Sequence, residues 1–201
     1  MKKVKTFVDN RILNDTYLLI NDNKAVVIDP SFKVSKLIDY IKENELELVA
    51  VLLTHGHYDH FAGLEALGKE FTCPYYISEE DESFLYDKRR SMADKEVNGK
   101  PIIYQDSELL LDGFSLQILK VPGHTLGSVV IVWEDKMFTG DFIFHGDTGR
   151  VDLPGGSAKQ MEISLREFAK IDGDYIIYPG HEESTTLAQE KKTNRDLKNY
   201  V

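Results

Sequence analysis

The 201-residue chain is poor in several of the residue types that usually announce a mode of action. It has one cysteine, Cys73, which excludes an internal disulfide framework and a cysteine-rich zinc site. Cys73 sits beside Pro74 and before the apolar run Tyr75 to Ile77, the setting of a small buried side chain rather than a nucleophile. Basic residues are also short: 24 Lys and Arg face 34 Asp and Glu, a formal net charge of −10, and the longest basic cluster is Lys88-Arg89-Arg90. Nucleic acid binding draws on clustered basic side chains and the counterions they release, so no nucleic acid partner is expected. No apolar run approaches the roughly 20 residues that span a bilayer, so no membrane partner is expected either. Near the start, Val4, Phe7 and Val8 alternate with polar residues and form no continuous apolar segment of the secretory kind. A cytoplasmic protein is the resulting expectation, and no feature of the sequence specifies an oligomeric state.

What the chain does contain is an alternation of strands and helices, at a length that suits one domain over 1–201. Asp15 to Ile20 and Lys24 to Ile28 flank Asn21-Asp22-Asn23, whose composition suits a hairpin turn. Val34, Leu37, Ile38 and Ile41 recur at helical spacing through about Asn44. Leu48 to Leu53 is almost wholly apolar, as a strand buried on both faces should be. The pattern then predicts a helix over 62–71, a strand over 74–77 and a helix over 79–86 capped by Ser78. An exposed polar loop over 88–100 follows, with an Asn98-Gly99 turn. Strands are expected over 102–104, 108–111, 115–121, 129–133, 136–139 and 175–178, a Ser157-capped helix over 158–169, and a closing helix over 185–199. Two halves, 1–100 and 101–201, each with strands and helices, suggest two sheets with helices outside, a layered α/β arrangement.

Three of the six histidines fall within Thr54-His55-Gly56-His57-Tyr58-Asp59-His60, directly after the apolar strand. Strand ends are where loops carry chemistry on a rigid scaffold. Four potential ligands so close together are crowded on a turn facing solvent and become useful where the loop wraps around a cation. Val121-Pro122-Gly123-His124, Thr139-Gly140-Asp141 and Tyr178-Pro179-Gly180-His181 repeat the theme, each a candidate ligand at a strand exit beside a glycine. Neutral imidazole together with carboxylate suits zinc, and also iron or manganese.

The series H-x-H-x-D-H over 55–60, then His124, Asp141 and His181, resembles the metallo-β-lactamase superfamily over nearly the whole chain. Phe138-Thr139-Gly140-Asp141-Phe142-Ile143-Phe144 followed by Gly149-Arg150 is similar to the glyoxalase II branch of hydroxyacylglutathione hydrolases. So is the tail Pro179-Gly180-His181, Thr185-Thr186-Leu187 and Glu190, which resembles its short bacterial members. The resemblance implies a four-layer αββα sandwich and two divalent metal ions, zinc foremost. It places His55, His57 and His124 on one metal, Asp59, His60 and His181 on the other, and Asp141 between them. It further implies thioester hydrolysis by a hydroxide shared between the metals, on a small-molecule acyl-thiol, with Asp59 as ligand and proton relay.

Asp29 resembles the family's acid at the end of an early strand, which orients a ligand from behind; its position equally suits capping of the next helix. Arg150 occupies the place of a basic residue that contacts the glutathione carboxylate, or else pairs with Asp147 or Asp152. Where the family carries an aromatic residue and a tyrosine, this chain has Asp152 and Glu183, and the family's separate helical domain is not expected in the 20 residues after His181. Acids in those places favour an acyl-thiol other than glutathione. His145 matches no ligand position. A persulfide dioxygenase-like oxidoreductase on the same scaffold, with one iron on His55, His124 and Asp141, is the alternative that the resemblance allows.

Overall fold

The computed structural model describes residues 2–9, 13–93, 97 and 99–201, so the turn expected at Asn98-Gly99 lies outside the described residues at Asn98. Among the described residues, twelve strands form two six-stranded sheets. The first keeps chain order: β1 (Lys2–Asp9), β2 (Asn14–Asn21), β3 (Lys24–Ile28), β4 (Glu47–Leu52), β5 (Tyr75–Ile77) and β6 (Ile102–Ile103). The first three pair antiparallel and β3 to β6 pair parallel. Parallel neighbours need a crossover, and helices α1 (Ser35–Glu43), α2 (Tyr58–Phe61), α3 (Leu64–Glu70), α4 (Glu79–Glu82) and α5 (Lys88–Ser91) lie in those connections. The second sheet comprises β7 (Glu108–Leu111), β8 (Phe114–Lys120), β9 (Val129–Trp133), β10 (Lys136–Gly140), β11 (Ile176–Pro179) and β12 (Thr185–Thr186). Its order is β12-β11-β10-β9-β8-β7, with β10 and β11 its one parallel pair, and α6 (Ala158–Phe168) and α7 (Leu187–Thr193) complete the set.

Strand alternation decides the layering. In β2, Leu18 and Ile20 share a core with Leu37 and Ile41 of α1 and with Leu64 and Leu67 of α3. The intervening Tyr17 and Leu19 point the other way and join Leu116, Ile118, Ile131 and Phe138 of the second sheet. On that sheet's far side, Val130, Val132, Met137 and Ile177 meet Met161, Leu165 and Phe168 of α6 and Leu187 of α7. Helices, sheet, sheet and helices therefore follow one another: the four-layer αββα sandwich. No helix among the described residues is long and apolar enough to cross a membrane.

Four expectations change in detail. The helix expected over 62–71 starts at Tyr58 and breaks at Gly63, where a side chain would collide with Val34 and the carbonyl of Ser31. The segment 79–86 is α-helical only to Glu82 and then tightens into a 3-10 turn, and Ser78 Oγ donates to the Gly127 carbonyl instead of capping. The loop over 88–100 contains the helical turn α5, capped by Asp87. The closing helix is in pieces, because Thr185–Thr186 pairs with β11 and Asn194 Oδ1 accepts from the N–H groups of Asp196 and Leu197. Ser157 does cap α6, accepting from Gln160 N–H at 3.3 Å.

Candidate metal centre

One end of the two sheets gathers every singled-out histidine and carboxylate of the ligand series. β4 leads into His55, β8 into His124, β10 into Asp141 and β11 into His181. The sheets are tied at this end by Asp15 N–H to Gly180 O (2.8 Å) and Val129 N–H to Thr54 O (2.9 Å). An isolated bridge joins Asn14 to His181. Gly180 has a steric reason here: a side chain would run into the Asp141 carboxylate and the His60 ring. Gly140, at φ +48, turns β10 against Thr54, where a side chain would collide.

Two groups of donor atoms result, each within 4.8 Å of one another: His55, His57 and His124, and Asp59, His60 and His181. In the first, His57 Nδ1 lies 2.8 Å from His124 Nε2. In the second, Asp59 Oδ2 is 3.3 Å from His181 Nε2 and 3.7 Å from His60 Nε2. Asp141 stands between them. Its Oδ1 is 3.2 Å from His60 Nε2, and its Oδ2 is 3.4 Å from His124 Nε2 and 3.6 Å from His181 Nε2. All seven residues thus converge.

The far sides of the rings are held as well. His60 Nδ1 faces Asp29 Oδ2 at 2.8 Å, and His124 Nδ1 faces the Arg150 carbonyl at 2.7 Å. His55 Nδ1 lies 3.2 Å from Thr54 Oγ1, which itself donates to Asp29 Oδ2 at 2.5 Å. These acceptors assign the proton to Nδ1 in all three rings and leave Nε2 lone pairs for the centre. Asp29 also accepts Thr54 N–H at 2.8 Å. A third grouping, Asp29 with His55 and His60, is close enough to be considered for a cation. Three donors already converge on the Asp29 oxygens: Thr54 N–H on Oδ1, and Thr54 Oγ1 and His60 Nδ1 on Oδ2. Asp29 does not cap α1, which begins at Ser35 without a side-chain cap. Asp29 sits at φ +48, a conformation uncommon outside glycine that a short polar residue tolerates.

Charge is distributed unevenly. Burial pushes the His55 imidazolium well below the usual range, helped by its histidine neighbours, and pushes His57 down to about 4. For His60 burial acts in the same direction, but Asp141, Asp59 and Asp29 outweigh it and raise its value well above normal. His181 is raised too, its hydrogen bond with Asp59 overcoming burial. Burial would raise Asp141, yet His60, His124 and His55 hold it well below the carboxylate range.

Three buried atoms of the ligand series, His55 Nε2, His57 Nε2 and Asp141 Oδ1, have no hydrogen-bond partner. Buried polar atoms are nearly always satisfied, and a run of orphans on imidazole and carboxylate is what a divalent cation would satisfy. The residues fit a metal.

Outside the seven, a cleft of about 470 Å³ opens over His57, Asp59, His124, Asp141 and His181, walled by Leu13, Met92, Phe144 and Leu153. Arg150 borders it, with its guanidinium paired two-fold to Asp152 at 2.7 Å, while Asp147 pairs with Arg195. Glu183 bonds His145 at 2.9 Å and is absent from the cleft wall. Sequence reasoning missed Asn14, whose Nδ2 lies 3.2 Å from His60 Nε2, and the buried Asp81. Neither carries a local signal.

A buried histidine–carboxylate centre able to hold metal, at one end of an αββα sandwich, defines a metallo-hydrolase class. Residues 10–181 match the model of the metallo-beta-lactamase superfamily, and the chain belongs to that superfamily. It is 37% identical over 191 residues to hydroxyacylglutathione hydrolase GloC of Haemophilus influenzae, covering 88% of this chain and 89% of that one. A probable metallo-hydrolase of Streptococcus pyogenes serotype M6 is 34% identical over 212 residues, covering 96% and 89%. Among solved structures, BLEG-1 B3 metallo-beta-lactamase superposes with a TM-score of 0.90 at 28% identity, covering 97% and 99%. TTHA1623 in a di-iron-bound form gives 0.84 at 28%, covering 95% and 98%.

Proposed function

We propose that residues 1–201 act as one domain that hydrolyses thioesters of small acyl-thiols in the manner of glyoxalase II, with two divalent cations resident. His55, His57 and His124 would hold one, Asp59, His60 and His181 the other, and Asp141 both. The observation that carries this reading is the reach of the single Asp141 carboxylate to histidines of both clusters, at 3.2 to 3.6 Å. Zinc heads the candidates because the donor set suits it, and iron and manganese share that chemistry. When bound, such cations polarise an acyl carbonyl and generate a nucleophile from water at neutral pH.

The chain's own residues do the rest. Burial disfavours the Asp59 carboxylate, but His60 and His181 hold its value below normal, so Asp59 stays ionised beside the cleft as a ligand and proton acceptor. Asp29 and the Arg150 carbonyl fix the tautomers of His60 and His124. Leu13, Met92, Phe144 and Leu153 give the substrate an apolar wall. Arg150 is the proposed substrate contact. Its pairing with Asp152 means that an anionic thiol must compete for the guanidinium, which supports an acyl-thiol other than glutathione. The H. influenzae relative's name keeps acyl-glutathione among the substrates to try. A one-iron persulfide dioxygenase-like reading leaves the Asp59–His60–His181 cluster without a role.

The test is a panel of acyl-glutathione, acyl-coenzyme A and simple acyl-cysteamine thioesters. Protein loaded with zinc, manganese or ferrous iron should release free thiol, with two metals per chain by elemental analysis. A metal-replete sample inert on every thioester sinks the proposal. One iron per chain with oxygen uptake on a persulfide would replace it.

A further inference from the structure

A second buried acid stands behind the metal centre, outside the ligand series. Asp81 in α4 is fully buried, at 0% exposure. Its Oδ2 accepts from Gly56 N–H at 2.8 Å and from Thr125 Oγ1 at 2.7 Å, and its Oδ1 accepts from Gly127 N–H at 3.0 Å. Gly56 lies between His55 and His57. Thr125 and Gly127 belong to the turn that presents His124. One carboxylate therefore spans the two loops that carry the three histidines of the first cluster, and it makes no contact with His60, Asp59 or His181.

The surroundings are shaped around this contact. A side chain at Gly127 would collide with the Asp81 carboxylate and Ser78 Oγ, and one at Gly56 with Phe84. Thr125 is itself oriented: its Oγ1 lies 2.8 Å from Ser128 Oγ, and its N–H donates to that oxygen at 3.1 Å. A carboxylate accepts only, and here three donors from two loops converge on it, so no neutral side chain can replace it fully.

We propose that Asp81 is a positioning residue that sets the spacing of the His55–His57 loop against the His124 loop, and so tunes the metal affinity of the first cluster alone. The proposal rests on the reading that both clusters hold metal. It acts through the backbone of the histidine loops, at a remove from the rings that Asp29 and the Arg150 carbonyl touch directly.

The experiment is zinc titration of the full chain and of Asp81→Ala, Asp81→Asn and Thr125→Val, with histidine-ring nitrogen NMR to show which rings bind. Wild type should bind two zinc ions. Asp81→Ala should bind the first-cluster zinc roughly 10–100-fold more weakly, the usual effect of removing a residue that orients ligands, while His60 and His181 retain theirs. Asp81→Asn should fall between, because its amide oxygen can accept while its NH₂ opposes a backbone N–H. Thr125→Val, which removes one donor and no charge, should show the same selectivity more weakly, and it stands as the test if Asp81→Ala does not fold. Equal weakening of both clusters marks Asp81 as a general structural residue and overturns the proposal, as does unchanged affinity. Wild type that binds no zinc or other divalent metal overturns this proposal and the metal reading together; two metals in wild type with no selectivity in the variants overturns this one alone.

Discussion

The two clusters lie side by side and are built on opposite electrostatic terms. His55, His57 and His124 are imidazoles only, at 1–2% exposure, and burial drives His55 and His57 towards the neutral form. Asp59, His60 and His181 include a carboxylate, Asp59 and His181 are partly exposed, and the carboxylates raise His60 and His181. The first cluster spans the loop after β4 and the turn after β8. The second adds the end of β11, and Asn14 of β2 packs against it. Burial that disfavours the charged form of His55 and His57 reduces the competition a cation meets from protons there. A carboxylate-rich site holds protons and releases them to a cation, so its occupancy is tied to pH. Asp141, reaching both, couples the two.

The comparison can be broken most forcefully at Asp141. Asp141→Ala should keep the fold by far-UV circular dichroism, lose the second metal, and lower thioester turnover by more than about 100-fold. If both metals and turnover survive, the clusters are independent and the bridging assignment fails. Asp29→Asn should act next most strongly. It touches His60 directly and His55 through Thr54, so it should weaken both clusters, the second by roughly 10–100-fold. It should also reduce stability by about 1–3 kcal/mol, since it sets a donor against buried Thr54 N–H or the His60 ring. A metal loss confined to the first cluster would reverse the roles given to Asp29 and Asp81. The smallest effect is read without mutation. Ring NMR of the metal-free chain should show His57 neutral down to about pH 4, while His60 and His181 keep their protons above the usual histidine value. A raised value means the charged form persists to higher pH, a lowered one that it appears only in acid. Coincident titration of all three would remove the contrast.

Much of this was legible in the chain itself. The apolar run at 48–53 predicted the buried strand, and the ligand spacing just after it predicted a site at a strand exit. The glycines beside His124, Asp141 and His181 pointed to close backbone approach, and Gly180 has no room for a side chain. The helix limits were less legible: Gly63 packs against Ser31 and Val34 and Thr185–Thr186 pairs with β11, contacts made across the fold, while Asn194 ends its helix through side-chain bonds to Asp196 and Leu197 that composition does not single out. Asp29 was readable only as one of two roles, since a strand-end acid can cap a helix or orient a ligand. Arg150 could be given two partners or a substrate role, and only packing selected Asp152 as its ion pair. Asp81 sits in Glu79-Glu80-Asp81-Glu82, where nothing distinguishes the acid that turns inward from its neighbours.

The sequence by itself determined the inventory: strands apolar on both faces, an acidic surface, a chain with no catalytic cysteine pattern, and ligand types suited to a borderline divalent metal. Those follow from local composition and period, which neighbouring residues alone specify. Only the tertiary structure decided which acids stand behind which histidines, and set the distances at which Asp141, placed between the two groups by the family resemblance, reaches both. Those contacts join residues far apart in the chain: Asp29 and Thr54 are separated by 25 positions, Asp81 and Thr125 by 44, and Asp81 and Gly127 by 46. The packing of two sheets face to face sets such distances, and no local pattern encodes them.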